Sequence, residues 1–116
     1  MPETNNKIIM GVGNTLVDLI LNEDVSFLSE LGKKKGGMDL VDSEYQDMVL
    51  SKTTSPPVIV TGGSTCNTMV GIGRLGGNAG FIGCRGEDEY GSAFEQQLSD
   101  SKVRPHMFSG SQPTGR

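Results

Sequence analysis

The chain has 116 residues, with 14 acidic against 10 basic side chains and a net charge of −4, so one compact domain is its ceiling. Mild acidity, with a single basic run and no interleaved aromatics, argues against a nucleic-acid binder, and no apolar stretch approaches the length that spans a bilayer. Leu, Ile, Val and Phe make up about a quarter of the residues, enough for a thin core rather than a disordered chain, while the 17 glycines follow no Gly-X-Y period, which excludes collagen.

Residues 1–6 are polar and acidic, unlike a secretory signal. The two cysteines, Cys66 and Cys84, form neither a disulfide framework nor a metal-ligand spacing, so a reduced, cytoplasmic compartment is expected. Residues 7–12 are a short apolar run with the length of a buried strand. Gly13-Asn14 breaks it, and 16–21 resumes an apolar stretch that holds one carboxylate, Asp18. Val25, Phe27, Leu28 and Leu31 suit a short helix, capped by Asn22 or Asp24 and ended by Gly32. Lys33-Lys34-Lys35 reads as a solvated loop, and 38–41 alternates as a half-exposed strand would. Asp42 or Ser43 caps a second helix to about Leu50, and Pro56-Pro57 bars any helix from the 51–57 linker.

The second half has a clearer rhythm. Residues 58–60 read as a core strand, Gly62-Gly63 as a turn, and 64–75 as a helix capped by Ser64 or Thr65 and stopped by Gly76-Gly77. Residues 79–84 form another strand. Asp88 caps a helix from Glu89 to about Ser101, with Tyr90, Phe94 and Leu98 on one stripe, and 103–108 supply the last strand. This alternation predicts an α/β fold, a parallel sheet with flanking helices. Residues 16–41 do not fit the rhythm and form a small extra layer.

Two places could carry chemistry. In Gly62-Gly63-Ser64-Thr65-Cys66-Asn67, two glycines follow a strand and open a helix whose first N–H groups lack partners, so a ligand can lie against bare backbone. Asn67 offers a donor and an acceptor, which suits a hydroxyl better than a phosphate. The plain alternative is a strand-to-helix turn with a solvent-facing Asn. Asp18 can accept charge-assisted bonds from two neighbouring hydroxyls, or it can be the polar face of a half-exposed strand. Ligands of open parallel sheets collect beyond the carboxyl ends of the strands. Asn14 and Asp18 follow the first strand and Gly62-Asn67 a later one, which favours a shared site.

Other motifs fail. No G-x-x-x-x-G-K-[ST] occurs, and Gly11-Val12-Gly13 has Leu16 where a dinucleotide fingerprint needs its third glycine. Ser64 has no sequence-adjacent base. His106, beside Pro105, reads as a surface imidazole. Cys66, near a helix N-terminus, is either a reactive thiol or a small packing residue, and packing is the simpler reading.

Three stretches together resemble the N-terminal part of a ribokinase-like carbohydrate kinase, the PfkB-type family that includes ribokinase, fructokinase and adenosine kinase. Gly11-Val12-Gly13-Asn14 with Leu16-Val17-Asp18 is similar to the family's first strand and substrate-binding aspartate. Gly62-Gly63-Ser64-Thr65-Cys66-Asn67-Thr68, on through Gly73-Arg74-Leu75-Gly76, resembles its first signature. Phe81-Ile82-Gly83-Cys84-Arg85-Gly86-Glu87-Asp88-Glu89-Tyr90-Gly91 resembles the acidic turn that ends that signature. Pro113-Thr114-Gly115-Arg116 resembles the start of a lid strand. Gly-Gly-Ser-Thr leans toward the adenosine-kinase-like branch.

The resemblance implies transfer of the γ-phosphoryl group of ATP to a hydroxyl of a sugar or nucleoside. It would have Asp18 bind sugar hydroxyls, the Gly62-Gly63 backbone lie against the sugar, and Asn67 bind another hydroxyl. Asn14, Leu16 and Leu40 would line the pocket. About 14–41 with 113–116 would form a β lid that closes over substrate and could pair two copies of the chain. The family's Gly-Ala-Gly-Asp loop, whose Asp is the general base, does not occur, nor does its Asn-x-x-Glu motif linked to magnesium. ATP and Mg2+ would then be held mainly beyond Arg116, and 1–116 would be the N-terminal portion of a longer kinase, inactive by itself. A second expectation is a non-catalytic module that binds a sugar or nucleoside, or that pairs its lid with another chain.

Overall fold

The computed structural model describes residues 7–116, so the polar start at residues 1–6, read above as no secretory signal, lies outside the described residues. In chain order the elements are β1 (Ile9–Val12), β2 (Leu16–Ile20), α1 (Val25–Glu30), α2 (Ser43–Ser51), β3 (Val58–Gly62), α3 (Ser64–Arg74), β4 (Ala79–Gly86), α4 (Glu89–Asp100) and β5 (Val103–Gly110). They fall into two compact units, one of the residues up to Leu19 with Ile59–Arg116, the other Ile20–Val58. No helix among the described residues is long and apolar enough to cross a membrane.

The larger unit is built on a parallel sheet in the order β1-β4-β5. Ile9 to Val12 of β1 stand beside Ala79 to Ile82 of β4, and Ala79 to Gly86 stand beside Val103 to Gly110 of β5. Its helices bury the stripe that their spacing predicts. Phe94 and Leu98 of α4 are fully buried, and Tyr90 packs at the border of the same cluster. Cys66 and Met69 of α3 meet them, along with Phe81 of β4, Val103 of β5 and Val17 of β2. The Phe81 and Phe94 rings are tilted at 56° with centroids 5.4 Å apart, the edge-to-face arrangement that the ring quadrupoles favour. Gly73 lets α3 close on the turn before β5, because a Cβ there would strike the Ser101 carbonyl and stand 3.1 Å from Val103 Cγ2.

Several sequence expectations need correcting. β3 does not join the parallel sheet; it pairs with β2 in a separate two-stranded sheet. Val58 is therefore exposed and Ile59 and Val60 only half-buried, so 58–62 is not a core strand. A glutamine completes its other edge: Gln97 of α4 donates from Nε2 to the Ile59 carbonyl (2.7 Å), and its Oε1 accepts from the Thr61 N–H (2.9 Å). One amide has both the donor and the acceptor that a neighbouring strand would supply. β1 is an edge strand rather than a buried one, with Ile9, Met10 and Val12 exposed and Gly11 alone buried. Neither Ser64 nor Thr65 caps α3. The N-cap is Gly63, at φ 91°, with no side-chain hydrogen bond to the helix start.

The Ile20–Val58 unit holds α1 and α2, neither of which has a fully buried residue. Asp42 caps α2 as predicted, accepting from the Tyr45 N–H at 2.8 Å. Asp24 occupies the N-cap of α1 without a side-chain bond. Glu23 ties the two ends of the unit together, accepting from the Thr54 N–H (2.7 Å) and hydroxyl (3.0 Å). The predicted strand at 38–41 is absent; the segment has no strand partner, and Met38 and Leu40 stand fully exposed. Lys33 is not simply solvated. It pairs with Asp39 at 2.9 Å and lies 5.5 Å from the Tyr45 ring centre, and the Asp39 hydrogen bond raises its pKa.

Candidate functional site

The site forms where β1 leaves the sheet and β2 meets β3. Beyond Val12 the Gly13 N–H still donates to the Ile82 carbonyl (3.2 Å), so the chain turns just past the carboxyl end of β1, while β4 and β5 run on together to Gly86 and Gly110. Side chains alternate along β2. Val17 points into the core, and Leu16 and Asp18, two residues apart, share the opposite face. Both rest on Gly62: a Cβ there would stand 2.8 Å from Leu16 Cδ1 and 2.9 Å from Asp18 Oδ1. The next residue, Gly63, takes the positive φ that glycine tolerates and starts α3. Its carbonyl accepts the Asn67 N–H at 2.9 Å, while the Asn67 side chain is exposed.

The Asp18 carboxylate thus lies against Gly62, and Asn67 is joined to Gly63 through its backbone N–H alone, its side chain exposed. Among the described residues, neither side chain has a hydrogen-bond or ion-pair partner, and the same holds for Asn14. An open cleft of about 320 Å³ is lined by Gly13, Asn14, Leu16, Gly63, Ser64 and Thr65. A second, of about 420 Å³, shares Gly13, Asn14 and Leu16 and adds Thr15, Cys84, Pro113 and Gly115. Of the seven residues expected at the site, Asn14, Leu16 and Gly63 line the first cleft, Asp18 lies with Leu16 against Gly62, and Asn67 meets Gly63 through its backbone, with its side chain exposed. The seventh, Leu40, belongs to the Ile20–Val58 unit.

The bland readings hold for the other candidates. Cys66 is fully buried; burial pushes its thiol up, partly offset by a hydrogen bond with Thr61, which makes it a packing residue. His106 is exposed on β5. Among the described residues no group of three or more His, Cys, Asp or Glu is arranged to hold a metal.

Sequence reasoning placed 113–116 in a lid but missed what holds Pro113 and Gly115 at the wall of the second cleft. Asp88 was legible as a helix cap, and it does accept from the Gly91 N–H at 2.8 Å. It also accepts from the Thr114 N–H (2.8 Å) and hydroxyl (2.6 Å), across 26 residues of sequence. Burial raises its pKa, but the Thr114 and Gly91 hydrogen bonds and nearby Arg85 outweigh that and hold the carboxyl below its usual value.

The description "pfkB family carbohydrate kinase" matches residues 26–115 of the chain. Among curated proteins, the fructokinase of Salmonella typhimurium is 44% identical over 48 residues, 40% of this chain and 16% of that protein. Adenosine kinase 2 of Arabidopsis thaliana is 26% identical over 113 residues, 93% of this chain and 33% of that one. Among solved structures, the adenosine kinase from Sinorhizobium meliloti superposes with a TM-score of 0.73 at 33% identity, over 92% of this chain and 33% of that one. The chain spans about a third or less of the length of these proteins, and its parallel sheet with flanking helices is part of the ribokinase-like fold. Matched by the family description over most of its length, the chain belongs to the pfkB family of carbohydrate kinases.

Proposed function

We propose that this chain is the acceptor-binding portion of an ATP-dependent kinase that phosphorylates a hydroxyl of a sugar or nucleoside. The observation that carries the reading is the Asp18 carboxylate lying on the bare Cα of Gly62, without a partner, beside a glycine turn that opens a helix. An ionised carboxylate has about four acceptor sites and can take hydrogen bonds from two hydroxyls of a diol at once. The missing Cβ at Gly62 leaves room for the Leu16 and Asp18 side chains, the Gly63 backbone faces the cleft, and Asn67 can donate to or accept from a further hydroxyl. Asn14 and Leu16 line the cleft.

Phosphoryl transfer depends on positioning and electrostatics more than on covalent help from the protein. The role assigned to these residues is to hold the acceptor oxygen in one orientation. ATP supplies the phosphoryl group. The Gly-Ala-Gly-Asp segment that carries the general base in the family does not occur in the 116 residues, and the reading assigns the base, ATP and Mg2+ to sequence outside them. Residues 14–41 with 113–116 serve as a lid that excludes water, a face through which two copies could pair.

Calorimetry of the chain with adenosine, ribose and fructose tests the reading. One of them should bind, and Asp18→Ala should weaken it about tenfold to a hundredfold, the loss of one or two hydrogen bonds to a charged group. The chain alone should transfer no phosphoryl group from ATP. Undiminished binding by Asp18→Ala would remove Asp18 from the site. Binding by a longer chain that carries the Gly-Ala-Gly-Asp segment, without phosphoryl transfer, would make the protein a sugar-binding module.

A further inference from the structure

Asp88 does more than a helix cap requires. Capping α4 takes one bond, from the Gly91 N–H, yet the same carboxylate accepts two more from Thr114. The Thr114 hydroxyl in turn accepts from the Gly86 N–H at 3.0 Å, so this buried side chain is satisfied on both sides. Two glycines make its seat. A Cβ on Gly86 would stand 2.8 Å from the Thr114 nitrogen, and one on Gly91 would stand 2.9 Å from its hydroxyl. The Gln112 carbonyl also crowds Gly86, and the Gly86 carbonyl crowds Gly91, so neither position has room for a side chain.

Thr114 is followed by Gly115, which bridges Leu16 in parallel, and the Gly115 carbonyl accepts the Val17 N–H at 2.9 Å. A continuous path therefore runs from Asp88 through Thr114 and Gly115 to the strand that carries Leu16 and Asp18. Pro113 and Gly115 also wall the cleft lined by Asn14 and Leu16. We propose that Asp88 is a positioning residue of the acceptor site: by holding Thr114 it seats residues 113–115 against β2 and so orients Asp18. The inference rests on Asp18 binding the acceptor, as proposed above, and adds a residue that touches no acceptor itself.

The test uses the 116-residue chain. Asp88→Ser keeps a good N-cap but is too short to reach Thr114, and Thr114→Val removes the hydroxyl while keeping the shape. Amide exchange is read at Val17 and Gly86, the donors to residues 114 and 115, and at Ser92, which donates to the Asp88 carbonyl inside α4. Affinity for adenosine and fructose is read alongside. Asp88→Ser should speed exchange at Val17 and Gly86 about tenfold or more, as losing bonds to a charged group predicts, with Ser92 unmoved. Thr114→Val should speed Gly86 in the same sense, so the proposal stays testable if the Asp88 variant fails to fold. Both should weaken acceptor binding about tenfold, whereas Asp18→Asn should weaken binding and leave Val17 exchange alone. Unchanged Val17 and Gly86 exchange overturns the proposal, as does faster exchange with unchanged affinity. If the unsubstituted chain binds neither ligand, the reading of Asp18 fails and takes this proposal with it. Asp18-dependent binding that survives both clip variants overturns the Asp88 role alone.

Discussion

Gly62→Ala separates the proposed site from the fold that supports it. The added Cβ would lie 2.8 Å from Leu16 Cδ1, 2.9 Å from Asp18 Oδ1 and 3.0 Å from Asp18 Cγ, each short of ordinary van der Waals contact by roughly 0.5–1 Å. All three atoms end side chains that are not fully buried, so they can swing away. The fold should lose about 1 kcal/mol or less, typical of an off-rotamer side chain, while the carboxylate moves by about an ångström, enough to break good hydrogen-bond geometry at a ligand. Acceptor affinity should fall about tenfold or more with a near-normal melting temperature. Calorimetry paired with thermal unfolding reads both quantities. Unchanged affinity would refute the binding role of Asp18 as seated by Gly62, and unfolding of the variant would show that the glycine serves packing instead.

Other glycines and the core give sharper stability contrasts. Gly73→Ala should destabilise by about 2 kcal/mol or more, since its Cβ meets the Ser101 backbone, which cannot swing aside; Gly71→Ala on the same helix meets nothing within 4 Å and should stabilise by about 0.5–1 kcal/mol, both read by urea unfolding. Phe94→Ala should cost about 3–5 kcal/mol and leave little folded protein by near-ultraviolet circular dichroism. Because the Asp88 carboxyl is held below its usual value when folded, its stabilisation is complete above the unfolded-state pKa near about 4 and is lost as pH falls through the lower folded one. Urea midpoints should therefore drop more steeply below about pH 4 for the parent than for Asp88→Asn. A thiol reagent should label exposed Cys84 and spare Cys66 until the chain unfolds.

What could be read from the residues was local. The four-residue spacing of Tyr90, Phe94 and Leu98 identified the buried face of α4, and Asp42 and Asp88 marked helix starts because a cap and its N–H lie within one turn. The stretches behind the proposed site are local for a related reason: Asn14 to Asp18 and Gly62 to Asn67 each lie beside their own turn. Strand partners were not legible. An apolar run such as 58–60 reads the same whether its neighbour is β4 or β2, and only the pairing decides how much of it is buried. The same limit hid Gln97, an ordinary helix residue by sequence, whose amide completes an edge of β3 nearly forty residues earlier. At 38–41 a period-two pattern was present without a partner, and alternation alone does not make a strand.

The two aspartates of the larger unit show how partner counting separates roles that composition cannot. Both follow glycine-bearing turns and both carry the same four acceptor positions. Asp88 spends its capacity on Gly91 and Thr114, so a ligand could bind it only by displacing protein donors whose loss would free residues 113–115. Asp18 accepts from no described residue, and the two-residue period of β2 sets it over the bare Cα of Gly62, which leaves it room. A carboxylate that no protein donor engages keeps its lone pairs for an incoming hydroxyl, and that division of labour is what the proposed acceptor site asks of the two aspartates.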